Sequence, residues 1–147
     1  MAKMVPLYTC ELVRDANIKA DTRIADCARA VAPILRAVIG DSDREHFVVA
    51  ALDARRRVIG VSTVSIGTLS FSLVHPREVF KPAILLNAAA IVVCHNHPSG
   101  DVNPSAEDRD VTRRLVRAGE LLGIPVADHI VLGEGDTFFS FREGGLL

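Results

Sequence analysis

The sequence has few cysteines and no surplus of charge of either sign. Its three cysteines, Cys10, Cys27 and Cys94, are odd in number and show no CxxC spacing, which argues against a disulfide framework and against a thiolate zinc site. The formal net charge of −1 provides no positive field that would gather nucleic acid or anionic lipid. We therefore expect a reducing compartment and partners that are selected by local surface features.

Long apolar runs are missing as well. The N-terminus has no basic segment followed by an apolar stretch, and nowhere do about 18 apolar residues follow one another without interruption. The sequence thus predicts a cytoplasmic protein with no membrane partner. Its 147 residues, 49% of them hydrophobic, are enough for one domain with a sizeable core. We expect that domain to span residues 1–147, with residues 1–4 as a flexible tail.

Hydrophobic periodicity predicts a domain in which strands and helices are mixed. Alternation favours a strand at residues 7–13, and helical spacing favours a helix from Asp21 or Thr22 to Gly40, kinked or restarted at Pro33. Further strands are predicted at residues 47–52, 58–64, 69–74, 88–94, 126–132 and 137–141, and further helices from His75 and from Ser105. Hairpin-length connections imply an α+β or mixed α/β fold, with a largely antiparallel sheet flanked by helices.

Two histidines at the end of a predicted apolar strand form the most informative pattern. His95 and His97 are separated by one residue, so in an extended chain they project to the same side, about 6.6 Å apart, while Asn96 faces away. Ser105 and Asp108 are three residues apart and share a face in the first turn of the next helix. Two imidazoles and one carboxylate provide the three ligands that are typical of a catalytic zinc site.

Part of this pattern has a structural alternative. Ser105 and Asp108 also fit a helix capping box, [ST]-x-x-[DE]. Capping would explain these two residues but not a histidine pair at the mouth of a buried strand. The two roles are compatible, because a capping serine and a metal ligand three residues later need not compete.

The spacing of these four residues resembles a known metalloenzyme motif. His95-x-His97, seven residues, Ser105, two residues, Asp108 matches the JAMM motif, H-x-H-x7-S-x2-D. Flanking segments narrow the resemblance to the bacterial RadC-like JAB proteins; they are VHPREVF at 74–80, HNHPSGD at 95–101 and GELLGI at 119–124.

The resemblance extends from about Val5 to the C-terminus and carries an expected fold. It implies a JAB1/MPN-like, cytidine-deaminase-like architecture, in which zinc lies near one end of the sheet. The helix-hairpin-helix region that usually precedes this domain in RadC proteins is absent from the sequence. Inferences about DNA that depend on that region are therefore not carried over.

The resemblance also implies catalytic roles. In JAMM enzymes a glutamate at the start of the strand after the first helix is the general base, and the matching residue here is Glu45, with Asp43 and Asp53 as less favoured substitutes. Ser105 would place its hydroxyl near the substrate carbonyl as it becomes a tetrahedral oxyanion. The implied activity is that of a zinc metallopeptidase or related hydrolase, with one Zn²⁺ per chain.

Several other polar residues are weaker candidates. His129 is predicted to be either a group beside the metal ligands or the substrate, or a buried hydrogen-bonded histidine, and we favour the last interpretation. His75 with Arg77 is most simply a helix-start network, and Cys94 is predicted to be a core residue. A charged row on the last helix is interpreted as a solvated face; it comprises Arg109, Arg113 and Arg117.

Three functional hypotheses follow. The first is a zinc-dependent hydrolase that cuts a peptide, isopeptide or other amide bond in an unidentified peptide or protein. The second is a metal-binding module for protein association, and the third is a function associated with DNA repair. The complete ligand set with Glu45 favours the first, and the near-neutral charge weighs against nucleic acid as a tight direct ligand. Self-association into a homo-oligomer is left open.

Overall fold

The computed structural model describes residues 1–67 and 74–147 of the chain. Within them the elements are α1 (Ala28–Ile39), β1 (His46–Leu52), β2 (Val58–Ile66), α2 (Pro76–Leu85), β3 (Ala90–Asn96), α3 (Ala106–Leu122), β4 (Val126–Leu132) and β5 (Phe138–Ser140). Apart from Val74, the strand predicted at 69–74 lies outside the described residues. None of the helices in the described ranges is long and apolar enough to cross a membrane.

The strands form a sheet in the order β2-β1-β3-β4-β5. β1 runs antiparallel to both β2 and β3, β4 runs antiparallel to β5, and β3 and β4 are parallel. The parallel pair is joined through α3, because a chain that re-enters a sheet in the same direction needs a long crossover. The fold is therefore mixed α/β with a largely antiparallel sheet, as the sequence predicted.

The central strands are covered on both faces, which explains their nearly continuous apolar sequences. In β1, alternate residues belong to two separate core clusters. Val48, Ala50 and Leu52 belong to the cluster that contains α1, whereas Phe47, Val49 and Ala51 belong to the cluster that contains α2 and α3. The sheet is thus the middle layer, with α1 on one face and the other two helices on the opposite face.

The strand predicted at residues 7–13 is wrong. Residues 1–20 contain no regular secondary structure, and all of them are exposed. Apolar residues occupy both sets of alternating positions in this segment, so the pattern selects no single face that the sheet could bury. Without such burial, nothing offsets the entropic cost of ordering a strand.

The start predicted for α1 is also wrong. The helix begins at Ala28 rather than directly after Asp21 or Thr22. The residues before it instead join the turn between β1 and β2, where the carbonyl of Arg23 accepts a hydrogen bond of 2.7 Å from the N–H of Val58. Tertiary hydrogen bonds therefore override the helical pattern in this segment.

The remaining helix ends follow the predicted signals. Pro33 was predicted to kink or restart α1; the helix does not restart there, and it ends before Gly40, which has a φ of +65°. α2 has Pro76 at its first position, after His75 as N-cap. Gly123 closes α3 in the left-handed conformation, with a φ of +72° that suits glycine.

Candidate metal centre

The end of β3 brings two histidines together. His95 is fully buried, its backbone pairs with Phe47 of β1, and the two rings stack with centroids 6.1 Å apart. His97 follows the strand, but its N–H still donates a 2.9 Å hydrogen bond to the carbonyl of Leu132 in β4. The chain therefore stays extended, and the Nε2 atoms of the two histidines lie 3.0 Å apart. Both rings point to the same place, as the spacing predicted.

The first turn of α3 delivers a carboxylate to the same place. Ser105 is the N-cap of α3, and its Oγ accepts a 3.0 Å hydrogen bond from the N–H of Asp108. In return, Oδ2 of Asp108 accepts a 2.8 Å hydrogen bond from the N–H of Ser105. The predicted capping box is thus present. It also holds the buried Asp108 carboxylate in a fixed orientation.

The three side chains converge with separations that suit a small divalent cation. Oδ1 of Asp108 lies 3.2 Å from Nε2 of His95, and Oδ2 lies 3.2 Å from Nε2 of His97. Among the described residues these three form a group that could hold a metal ion, with all ligand atoms within 4.8 Å of one another. In a tetrahedral site, zinc bonds of about 2.0–2.1 Å place ligand atoms about 3.3 Å apart. The donor types and separations are therefore compatible with one divalent metal ion, and zinc is among the ions that fit.

The pKa values of Asp108 and His97 depend on each other. Burial raises the pKa of Asp108, but hydrogen bonds from His95 and His97 in their protonated, cationic forms outweigh burial and hold that pKa well below its usual range. The same hydrogen bond with Asp108 raises the pKa of His97 against the effect of burial, and the carbonyl of Asp101 and the charge of Glu45 act in the same direction. Because a carbonyl oxygen only accepts, Nδ1 of His97 donates to Asp101 across 2.6 Å. A neutral His97 therefore presents the electron pair of Nε2.

Two further residues lie behind His95. Nε2 of His129, in β4, lies 2.7 Å from Nδ1 of His95, and Nδ1 of His129 lies 2.6 Å from Oγ1 of Thr112 in α3. Burial, reinforced by the charge of His95, lowers the pKa of His129 well below its usual value. His129 is thus both a buried hydrogen-bonded histidine and a neighbour of a candidate ligand. Thr112 was not predicted, because its only signal in the sequence is its position one helical turn after Asp108.

Glu45 and Asn96 lie on the β1 side of the group. Glu45 is half-buried just before β1, close enough for its charge to raise the pKa of His97. Asn96, expected to face away, holds the backbone on both sides of Glu45. Its Oδ1 accepts a 2.7 Å hydrogen bond from the N–H of His46, and its Nδ2 donates to the carbonyl of Arg44 across 2.9 Å. The residue between the two histidines thus fixes the chain that carries the candidate base.

Two of the other candidates, Asp53 and His75, have structural roles. Asp53, considered as a substitute for Glu45, lies at the opposite end of β1, where its Oδ1 accepts hydrogen bonds of 2.9 Å from backbone N–H groups two and four residues later. Asp43 is exposed in the loop before β1. His75 caps α2 by accepting a 3.2 Å hydrogen bond from the N–H of Arg77, which confirms the helix-start interpretation.

A mixed sheet between helical layers, with an H-x-H pair at a strand end and an aspartate one turn into the following helix, defines a domain of the JAB class. The RadC-like JAB domain model matches residues 25–146, which include all the candidate ligands. The chain belongs to the RadC-like JAB domain family.

Curated relatives agree with this assignment. The chain is 57% identical to a UPF0758 protein of Rubrobacter xylanophilus over 114 residues. The aligned region covers 78% of this chain and 49% of the relative. A UPF0758 protein of Symbiobacterium thermophilum is 55% identical over 119 residues, or 81% of this chain and 50% of the relative. A UPF0758 protein of Desulforamulus reducens is 46% identical over 135 residues, or 91% of this chain and 59% of the relative. The chain thus spans about half the length of these relatives.

Proposed function

We propose that this protein is a zinc-dependent hydrolase that cleaves a peptide, isopeptide or related amide bond. The observation that carries the proposal is the convergence of two imidazole nitrogens and a buried carboxylate, with Glu45 near enough to influence His97 electrostatically. Membership of the RadC-like JAB domain family supports the same chemistry.

His95, His97 and Asp108 would hold the zinc ion through two nitrogens and one oxygen. When bound, zinc would supply Lewis acidity that lowers the pKa of a water molecule to near neutral pH. The capping box limits how far the carboxylate of Asp108 can turn, and the stacked ring of Phe47 limits rotation of His95. The chain's own contribution to binding is therefore a preorganised set of donors.

Glu45 would accept the proton that is released as the water attacks, and would return it to the leaving amine. Asn96 keeps the backbone of Glu45 in place through its hydrogen bonds to both neighbouring residues. Ser105 is exposed, and in the capping box its Oγ acts as an acceptor. The hydroxyl proton is not consumed by that bond, so Ser105 would donate it to the oxyanion of the substrate.

The proposal is tested by zinc content and turnover measured on the same samples. We expect about one zinc ion per wild-type chain, since the three donors are of the kind that zinc prefers. His95→Ala and His97→Ala should lose the metal under mild chelation. Glu45→Gln should keep it and lose about 10²–10⁴-fold in the cleavage of a peptide library, because glutamine cannot accept the proton.

Two variants serve as controls. His46→Ala removes a histidine that bonds to Ser42 outside the group, and Asp43→Asn removes an exposed acid near Glu45; both should retain zinc and activity. Full zinc occupancy in the two histidine variants would place the metal elsewhere. Loss of zinc in Glu45→Gln would make Glu45 a ligand or a structural group. Bound zinc without cleavage of any library peptide would favour the interaction module.

A further inference from the structure

A chain of short hydrogen bonds connects two of the candidate ligands from behind. It runs from Nδ1 of His95 to Nε2 of His129 over 2.7 Å, and from Nδ1 of His129 to Oγ1 of Thr112 over 2.6 Å. It ends at the backbone carbonyl of Asp108, which lies 2.7 Å from Oγ1 of Thr112. All four residues are buried. The direction of each bond is therefore set by the protein groups themselves.

The chemistry of the groups fixes that direction. The carbonyl of Asp108 can only accept, so Thr112 donates its single hydroxyl proton to it. Oγ1 of Thr112 must then accept from His129, which places the ring proton of His129 on Nδ1. A neutral imidazole has one ring proton, so Nε2 of His129 accepts, and Nδ1 of His95 donates.

The direction of the chain decides whether His95 can bind a metal ion. With its proton on Nδ1, a neutral His95 has its electron pair on Nε2, the atom that lies 3.0 Å from His97 and 3.2 Å from Asp108. The reverse direction would put a proton on Nε2, where a cation must bind. We propose that Thr112 and His129 are positioning residues that hold His95 in its metal-binding tautomer, an inference that rests on the metal-binding part of the proposed function.

The packing around the chain supports this role. The ring of His129 stacks on Phe141 with centroids 4.6 Å apart and an angle of 11° between the planes, so its nitrogens are held in place. The bonds also link β3, β4 and α3, because His95, His129 and Thr112 each come from a different element. The same contacts that set the tautomer of His95 therefore tie it to the backbone of Asp108, a second ligand.

A matched pair of variants tests the proposal. Thr112→Val keeps the shape of the side chain and removes the hydroxyl, whereas Thr112→Ser keeps the hydroxyl and removes a methyl group. In competition with a chelator of known affinity, we expect Thr112→Val to bind Zn²⁺ about 10–100-fold more weakly than the wild type. Thr112→Ser should bind nearly as tightly as the wild type. Wild-type affinity in Thr112→Val, or equal weakening in both variants, would overturn the proposal.

Nitrogen NMR of the histidine rings provides a second readout that needs no metal. In the metal-free wild type at alkaline pH, neutral His95 should carry its ring proton on Nδ1. In Thr112→Val the population with the proton on Nε2 should increase. A wild-type His95 protonated on Nε2 would overturn the inference.

The two readouts separate this inference from the proposed function. A wild type that binds Zn²⁺ but cleaves no peptide would contradict the hydrolase and leave the roles of Thr112 and His129 to be decided by the affinities. A wild type that binds no Zn²⁺ would contradict the proposed function, and the ring tautomer of His95 would still decide whether the hydrogen-bond chain has the inferred direction.

Discussion

At the scale of single residues, His97 and Asp108 form a hydrogen-bonded pair when no metal is bound. A protonated His97 donates to the carboxylate 3.2 Å away, which raises the pKa of His97 and helps to hold the pKa of Asp108 below its usual range. The zinc ion that we propose would need the unprotonated Nε2 of the same ring. Protons and zinc would then compete for one electron pair, and the metal-free and metal-bound proteins should respond to pH in opposite ways.

We predict that zinc affinity rises with pH up to the raised pKa of His97 and levels off above it, because binding must displace one proton. In the metal-free protein, the stabilisation from protonated His97 is complete below its unfolded pKa of 6.5 and disappears as pH rises through the raised folded value. The stabilisation due to the Asp108 carboxylate is present above its unfolded pKa of 3.8 and is lost as the pH falls through its lower folded pKa. Chelator competition and thermal unfolding, each measured against pH, test both trends.

His97→Gln is the control for the pH profiles, since glutamine does not titrate. It should flatten the fall in metal-free stability above pH 6.5, the ordinary pKa of the histidine that it replaces. The coupling of His97 to Asp108 would be contradicted if the metal-free wild type became more stable as the pH rises above 6.5 while the stability of His97→Gln did not change.

The sequence revealed the residues of this group that act through local geometry. His95 and His97 follow from the two-residue period of a strand, and Asp108 from its place in the first helical turn. Thr112 and Asn96 were missed because their roles depend on partners that are distant in sequence. Thr112 bonds to His129, which lies 17 residues away, and the backbone groups that Asn96 holds lie 50 and 52 residues away. Such contacts follow from strand register, which periodicity does not specify.

At the scale of elements, α3 connects the candidate metal ligands to the core. Its first turn carries Asp108, and its buried face packs Leu115 against the sheet. Near its end, Gly119 lets the chain fold back, so that the N–H of Ile124 donates a 2.9 Å hydrogen bond to the carbonyl of Gly119. A side chain at this position would meet that returning backbone.

We predict that Gly119→Ala destabilises the protein, although alanine usually stabilises a helix relative to glycine by about 1 kcal/mol. The added Cβ would lie 2.5 Å from the carbonyl oxygen of Ile124 and 3.3 Å from the ring of Phe80. We expect the free energy of unfolding in urea to fall by about 1–3 kcal/mol. Glu120→Ala, at the exposed neighbouring position, should change it by less than about 0.5 kcal/mol. A more stable Gly119→Ala would contradict the close approach of Ile124.

Elements with a buried face were predictable, and the N-terminal segment was not. β4 coincides with the prediction at 126–132, and α3 has the predicted cap and end. The strand prediction at residues 7–13 was wrong because the alternating pattern there has no polar face. The helix start predicted at Thr22 was wrong because a capping residue alone does not start a helix when the residues next to it form hydrogen bonds with another segment. Burial in the core, on one face or on both, is therefore what made a pattern reliable in this chain.

At the scale of the whole molecule, charge bears on the choice between peptide and nucleic acid. The formal net charge is −1. The basic row of α3 is exposed, as the solvated-face interpretation predicted, and Arg113 forms an ion pair with Asp110. Exposed pairs of this kind contribute little to stability, and they lower the positive potential that a phosphate backbone would meet.

We therefore predict that this chain binds DNA weakly and without specificity. A protein that gathers phosphates with lysine and arginine loses affinity steeply between about 50 mM and about 200 mM salt. Titration of duplex and single-stranded DNA at these two concentrations should show little binding at either. The double variant Arg109→Ala/Arg117→Ala removes the ends of the exposed row and should behave like the wild type. Tight, salt-sensitive binding that this variant reduces, without cleavage of the peptide library, would contradict the peptidase proposal and favour a function associated with DNA.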